Sequence, residues 1–117
     1  MDGASISAEE YQQMQADRMT EKQLQSAVIA AAHSLGWMVY HTYSSVRSAP
    51  GYPDLHLLHT RRRISLFVEL KSQKGKLSPA QQQWLAALKT AGCRAEVWRP
   101  IDWQSGRIQE ILAGGAL

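Results

Sequence analysis

Cysteine is almost absent from this chain: Cys93 stands alone. That excludes an internal disulfide framework and a cysteine-based zinc site. Cys93 follows Gly92 at the start of an apolar segment, which predicts a buried structural thiol. Long hydrophobic runs are also missing, and no stretch is apolar for long enough to span a membrane. The opening Met1-Asp2-Gly3 has neither the basic start nor the apolar centre of a signal peptide. A reducing, cytoplasmic setting is the simplest expectation. There is no internal repeat and no low-complexity tract. Charge of one sign is scarce too: 13 Lys and Arg face 10 Asp and Glu, a net charge of +3. Such modest basicity permits an anionic partner without requiring one.

What is present suits one compact domain. The chain has 117 residues, 44% hydrophobic and 20% charged, enough for a real core. Its chemistry gathers around Pro50-Gly51-Tyr52-Pro53-Asp54 and Glu69-Leu70-Lys71. Asp54 opens the apolar run Leu55-His56-Leu57-Leu58. Glu69 and Lys71 close the run Ile64-Ser65-Leu66-Phe67-Val68. Arg61-Arg62-Arg63 joins the two runs, which read as an antiparallel strand pair. Residues two apart on a strand share a face, so Glu69 and Lys71 stand roughly 6.5–7 Å apart on one side. Pairing brings Asp54 to the same end of the hairpin as Glu69. Two carboxylates and an ammonium there can hold a hard divalent cation and set a cationic donor beside it. The plainer alternative is a surface ion pair next to a turn. Against it, Val68-Glu69-Leu70 sets a carboxylate inside an apolar run, where charge is costly unless paired or metal-bound.

The remaining elements follow in order. Ser7-Ala8-Glu9-Glu10 matches a capping box and predicts a short helix to about Arg18, either a frayed arm or a docking helix. Thr20-Glu21-Lys22-Gln23 is a second capping box, opening a helix to about Leu35 with Leu24, Val28, Ala31 and Leu35 as its apolar stripe. Glu21 lies on that inward side; it either complements the helix dipole or aims at a site beneath the helix. Trp37 to Tyr43 reads as a strand. Arg47 sits in the small-residue loop that follows, where it could touch a phosphate or be solvated. Both prolines of Pro50-Gly51-Tyr52-Pro53 restrict the entry to the next strand. Ser72 to Leu77 is a loop carrying Lys74 and Lys76. Ser78-Pro79-Ala80-Gln81 then starts a helix whose buried face is Trp84, Leu85, Leu88 and Ala91. Gln81 is fully explained there as the capping-box partner. Arg94 to Arg99 forms a last core strand, able to pair in parallel through a crossover. Two short terminal helices are expected around Ile101-Asp102-Trp103 and Arg107 to Ala113. The fold class is therefore α/β, helix–three strands–helix–strand with a mixed sheet and a C-terminal helical addition.

Pro53-Asp54 followed by Glu69-Leu70-Lys71 resembles the PD-(D/E)xK nuclease superfamily, whose core is restriction-endonuclease-like. Glu21, Gly51-Tyr52-Pro53-Asp54, Leu77-Ser78-Pro79-Ala80-Gln81 with Trp84-Leu85, and Val97-Trp98-Arg99-Pro100 bring it closer to the virus-type replication-repair nuclease branch, VRR-NUC. The resemblance covers residues 20–105. Residues 1–19 then form an arm or short helix, and residues 106–117 a helical tail. It implies a nuclease dependent on Mg²⁺ or Mn²⁺, with no organic cofactor and no membrane partner. By position, Asp54 and Glu69 would be metal ligands, with the carbonyl of Leu70. Lys71 would orient the attacking water or stabilise transition-state charge. Glu21 would complete the acidic cluster, and Gln81 would line the site.

Standalone members of this branch are typically viral or bacterial intracellular homodimers that cut branched DNA such as four-way junctions. That substrate is an expectation from the resemblance; no DNA-reading helix is recognisable. Arg61, Arg62, Arg63, Lys74 and Lys76 could bind backbone phosphates without reading sequence. For the three arginines, a solvated hairpin tip explains the run equally well. A non-catalytic nucleic-acid-binding module is the rival function, and intact Asp54, Glu69 and Lys71 argue against it. Two apolar faces, Tyr11 with Met14 and Ile108 with Ile111 and Leu112, are candidates for a two-fold interface. Otherwise they fold back onto the monomer core.

Overall fold

A computed structural model of the protein describes residues 5–43 and 49–115. Arg47 lies outside the described residues. Nine elements follow one another: α1 (Ala8–Arg18), α2 (Glu21–Ser34), β1 (Met38–His41), β2 (Leu55–His59), β3 (Ile64–Leu70), α3 (Pro79–Thr90), β4 (Arg94–Trp98), α4 (Pro100–Gln104) and α5 (Arg107–Ala113). The strands form one sheet in the order β1-β2-β3-β4. β1 pairs with β2, and β2 with β3, in antiparallel fashion; β4 lies parallel to β3. The expected mixed α/β architecture, with the last strand returning in parallel after a helix, is what forms. None of the described helices is long and apolar enough to cross a membrane.

Alternation along β3 builds the core. Leu66, Val68 and Leu70 point to one face and are fully buried, against Leu24, Val28 and Ala32 of α2 and Ile108, Ile111 and Leu112 of α5. Each fully buried aliphatic side chain contributes about 1.5–3 kcal/mol. The apolar face of α5 is therefore consumed within the monomer, and of the two faces considered for an interface only Tyr11 and Met14 stay exposed. Arg62 explains how so short a helix is held. Its guanidinium donates to the carbonyls of Leu112 at 2.9 Å and Ile111 at 3.3 Å. It also lies 5.2 Å from the centre of the Trp37 ring, whose indole N–H donates to the same Leu112 carbonyl.

Several expectations shift by a residue or a face. The α2 stripe runs through Ala32 rather than Leu35, which is exposed beyond the last turn. β1 is shorter than Trp37 to Tyr43, because Trp37 turns into the core and only Met38 to His41 find partners on β2. Ala91 is exposed at the end of α3, and Cys93 is only half-buried. α1 keeps its Ser7–Glu10 capping box. It also docks: Ala16 is fully buried where α1 packs on α4. A small residue made that contact invisible to a search for apolar stripes.

Candidate active site

Register sets the site. His56 stands opposite Phe67, and Leu55 opposite Val68, so Asp54, one residue before β2, reaches the level of Glu69. Two main-chain N–H groups hold it there, one through its carbonyl and one through its carboxylate. Thr42 N–H donates to the Asp54 carbonyl at 2.8 Å. Leu70 N–H donates to Asp54 Oδ2, also at 2.8 Å. Pro53 is buried and Gly51 takes φ +88°, a left-handed conformation that favours glycine. A Cβ on Gly51 would come within 2.4 Å of the Ala80 carbonyl carbon and 2.7 Å of the Gln81 nitrogen. The turn before Asp54 thus lies directly against the start of α3.

Glu69 points to the α3 side of the sheet and is only 2% exposed. Its Oε2 accepts a 2.8 Å hydrogen bond from Gln81 Nε2. Gln81 closes the α3 capping box with its other end, Oε1 accepting from Ser78 N–H at 2.8 Å. The capping role and the site role of Gln81 are one geometry. Glu69 Oε1 is buried with no hydrogen-bond partner among the described residues. Burial, then the adjacent charge of Asp54, push the Glu69 carboxyl up to about 8; Glu21 adds a smaller effect and Lys71 opposes.

Lys71 follows β3 on the face of Glu69, its N–H donating to the Trp98 carbonyl at 3.1 Å. Its stem lies along the Ser72–Gly75 turn: a Cβ on Gly75 would sit 3.5 Å from Lys71 Cδ. Arg99 holds that turn, its Nη1 donating to the carbonyls of Ser72 at 2.8 Å and Gly75 at 2.6 Å. Gln73 Oε1 accepts from Ile101 N–H at 3.0 Å, fastening the turn to α4. The sequence carries no sign of this role for Arg99, because its partners are main-chain carbonyls from a distant segment.

The remaining candidates divide by position. Lys74 and Lys76 are exposed on the connection after Lys71, beside the site. Arg61, Arg62 and Arg63 lie at the opposite end of the hairpin, about 20 Å away along β3. A cavity of about 680 Å³, lined in part by Arg62, Arg63, Ser65, Cys93 and Arg94, also lies at that far end. Chemistry rather than cavity volume selects the Asp54–Glu69 end. Glu21 is exposed at the start of α2, near enough for its charge to act on Glu69. Among the described residues, no three His, Cys, Asp or Glu side chains gather closely enough to hold a metal ion. A cation at this site would rest on Asp54 and Glu69, with the Leu70 carbonyl and water completing its shell. The partnerless, buried Glu69 Oε1 fits that role, and an all-oxygen donor set suits Mg²⁺ or Mn²⁺.

Comparison with known proteins agrees with this geometry. The family profile described as the VRR-NUC domain matches residues 5–100, a span that includes α1. A solved structure described as a VRR_NUC domain superposes with a TM-score of 0.63 at 24% identity, covering 78% of this chain and 97% of its own. A second, a VRR_NUC domain protein, gives a TM-score of 0.57 at 23% identity, covering 83% and 92% respectively. These two establish the shared fold. No curated protein matches the sequence.

Proposed function

Because the chain belongs to the VRR-NUC family, nuclease-type domains that process nucleic acid, we propose that it is a metal-dependent, structure-selective DNA endonuclease. Its substrate is branched DNA such as a four-way junction. The observation that carries this reading is Glu69: a buried carboxylate, held by Gln81 and set beside Asp54, with one oxygen left partnerless. A structural ion pair would leave no such atom, because a buried acceptor without a partner costs about 1–3 kcal/mol.

When bound, Mg²⁺ or Mn²⁺ supplies Lewis acidity and an acidified water. The chain's own residues do the rest. Glu69 gives up its proton and, with Asp54, presents anionic oxygen. Gln81 and the Leu70 N–H fix where those oxygens point. Lys71 brings positive charge to the place where negative charge develops on the phosphate. Lys74 and Lys76 contact the neighbouring backbone. Paired incision of a junction needs two such sites, so the proposal includes a two-fold homodimer. Exposed Tyr11 and Met14 on α1 are one surface available for it.

Labelled duplex, flap, splayed-arm and four-way substrates test the reading. Four-way or forked DNA should be cut well ahead of plain duplex in Mg²⁺. Equal cutting of every substrate would remove the structure selectivity. Light scattering at micromolar concentration tests the assembly, and dimers mixed with Asp54→Ala protein should nick only one strand.

A further inference from the structure

The face of the sheet that carries Glu69 does not end at the acids. Across the strands, Tyr40 stands opposite His56, and His56 opposite Phe67. Directly opposed residues share a face, so these three residues lie in one row across the sheet. His56 and Phe67 are stacked, with centroids 4.2 Å apart and planes at 10°. Tyr52 closes the row edge-on, 6.3 Å from Phe67 and 5.0 Å from Trp84. Ser65 Oγ and His56 Nε2 are 2.7 Å apart, which fixes the imidazole plane. Tyr40 ends the row on the edge strand and is 64% exposed; Met38, on the same face, is 63% exposed. The other face of β1 behaves differently: Val39 packs on the core.

The next row along the strands contains Asp54 and Glu69. One same-face step separates the two rows, about 6.5–7 Å. Tyr40 stands one strand over from Asp54 and two from Glu69, about 8 Å and about 12 Å away by strand spacing, within reach of the base of a nucleotide next to a bound phosphate. We infer that Tyr40, across from the His56–Phe67 stack on the same face, is a platform for an unpaired nucleobase flanking the scissile phosphate. The inference rests on the nuclease reading and names what that site selects: a nucleotide already out of its base pair, as at a fork or branch point. Aromatic stacking of this kind tolerates any base, because every base has a π-face. A paired base is stacked within its duplex and cannot lie on the ring. Preference for branched DNA that carries unpaired nucleotides then arises without any element that reads sequence.

Forked DNA with 2-aminopurine as the first unpaired base tests this in Ca²⁺, whose looser coordination should allow binding without cutting. Wild-type protein should quench the fluorophore. Tyr40→Ala should abolish the quenching and weaken fork binding by about 5- to 100-fold, lowering the ratio of fork to duplex affinity. Tyr40→Phe should retain both. Tyr40 is exposed, so the fold should survive either change, as circular dichroism would show. Unquenched fluorescence in a saturated wild-type complex, or wild-type quenching by Tyr40→Ala, would overturn the inference. So would equal losses on fork and duplex with dissociation of a dimer in light scattering, which would assign the face to a second copy of the chain. Plasmid nicking in Mg²⁺ reports the nuclease reading separately. Active protein without quenching overturns the platform alone, whereas quenching without nicking overturns the nuclease reading.

Discussion

Gln81 Nε2 and Glu69 Oε2 are 2.8 Å apart, and the same carboxamide caps α3 through its oxygen. One side chain thus ties the helix start to the buried acid. Gln81→Met keeps the bulk and removes both bonds. Losing a cap costs about 1 kcal/mol, and losing a hydrogen bond to a charged group about 1.5–3 kcal/mol. Cleavage should fall by about one to two orders of magnitude, with a small drop in Tm. A variant with wild-type cleavage and a lowered Tm would leave Gln81 as a cap alone.

Gly51 is the second tie between the Asp54 turn and α3. Gly51→Ala would force a Cβ to 2.4 Å from the Ala80 carbonyl carbon, at φ +88°. Left-handed strain alone costs roughly 1–2 kcal/mol, and relief of the clash must push α3 away. Thermal unfolding should shift down by more than about 4 °C, with loss of cleavage. An unchanged Tm would mean the turn does not hold the helix.

Glu69 makes cation affinity depend on pH. Its carboxyl, at about 8 in the metal-free protein, must lose its proton before it can act as a ligand. The Mg²⁺ concentration for half-maximal cleavage should therefore fall about tenfold per unit as pH rises toward 8, then level off. In chelator the sign on stability is opposite. The folded pKa lies above the usual 4.5 of a glutamate. The stabilising contribution is complete below 4.5 and is lost as pH rises through about 8, so the metal-free Tm should decline across that window. A flat Mg²⁺ requirement from pH 6 to 8 would separate Glu69 from the cation.

The arginine run requires a divided test. Arg62 is bound to the end of α5, so replacing it unfastens a helix rather than a phosphate contact. Arg61→Ser with Arg63→Ser, Arg62 kept, isolates the tip. If both touch backbone phosphates, the log–log salt slope of DNA binding should shrink by about 0.9 for each. An unchanged slope would make the tip a solvated cap.

Legibility in the sequence followed the range of the interactions. Three capping boxes are local, and Ser7, Thr20 and Ser78 each cap the helix their spacing announces. The pairing of Asp54 with Glu69 was legible because it needs only a hairpin register and the period-two rule. Glu21, readable either as a helix-dipole partner or as aimed at the site, is exposed in the first turn of α2 and close enough for its charge to act on Glu69. Arg99, Arg62 and Gly51 were not legible in these roles. Their partners are main-chain atoms of segments far away in the chain, and nothing in local periodicity encodes such contacts. The destination of Ile108, Ile111 and Leu112 was open for the same reason: an apolar stripe does not state which surface covers it.

The central claim is that Asp54 and Glu69 together form a cation site for phosphodiester hydrolysis. Nicking of supercoiled plasmid in Mg²⁺ by wild type, Asp54→Asn and Glu69→Gln is its most direct test. Both substitutions preserve shape and remove the charge. Wild type should nick, and should stop on addition of chelator. Each variant should lose at least about 10²–10³ in rate while keeping its circular dichroism spectrum and cooperative unfolding. Folded Glu69→Gln protein that nicks at the wild-type rate, or wild type that nicks equally well in excess chelator, would contradict the account.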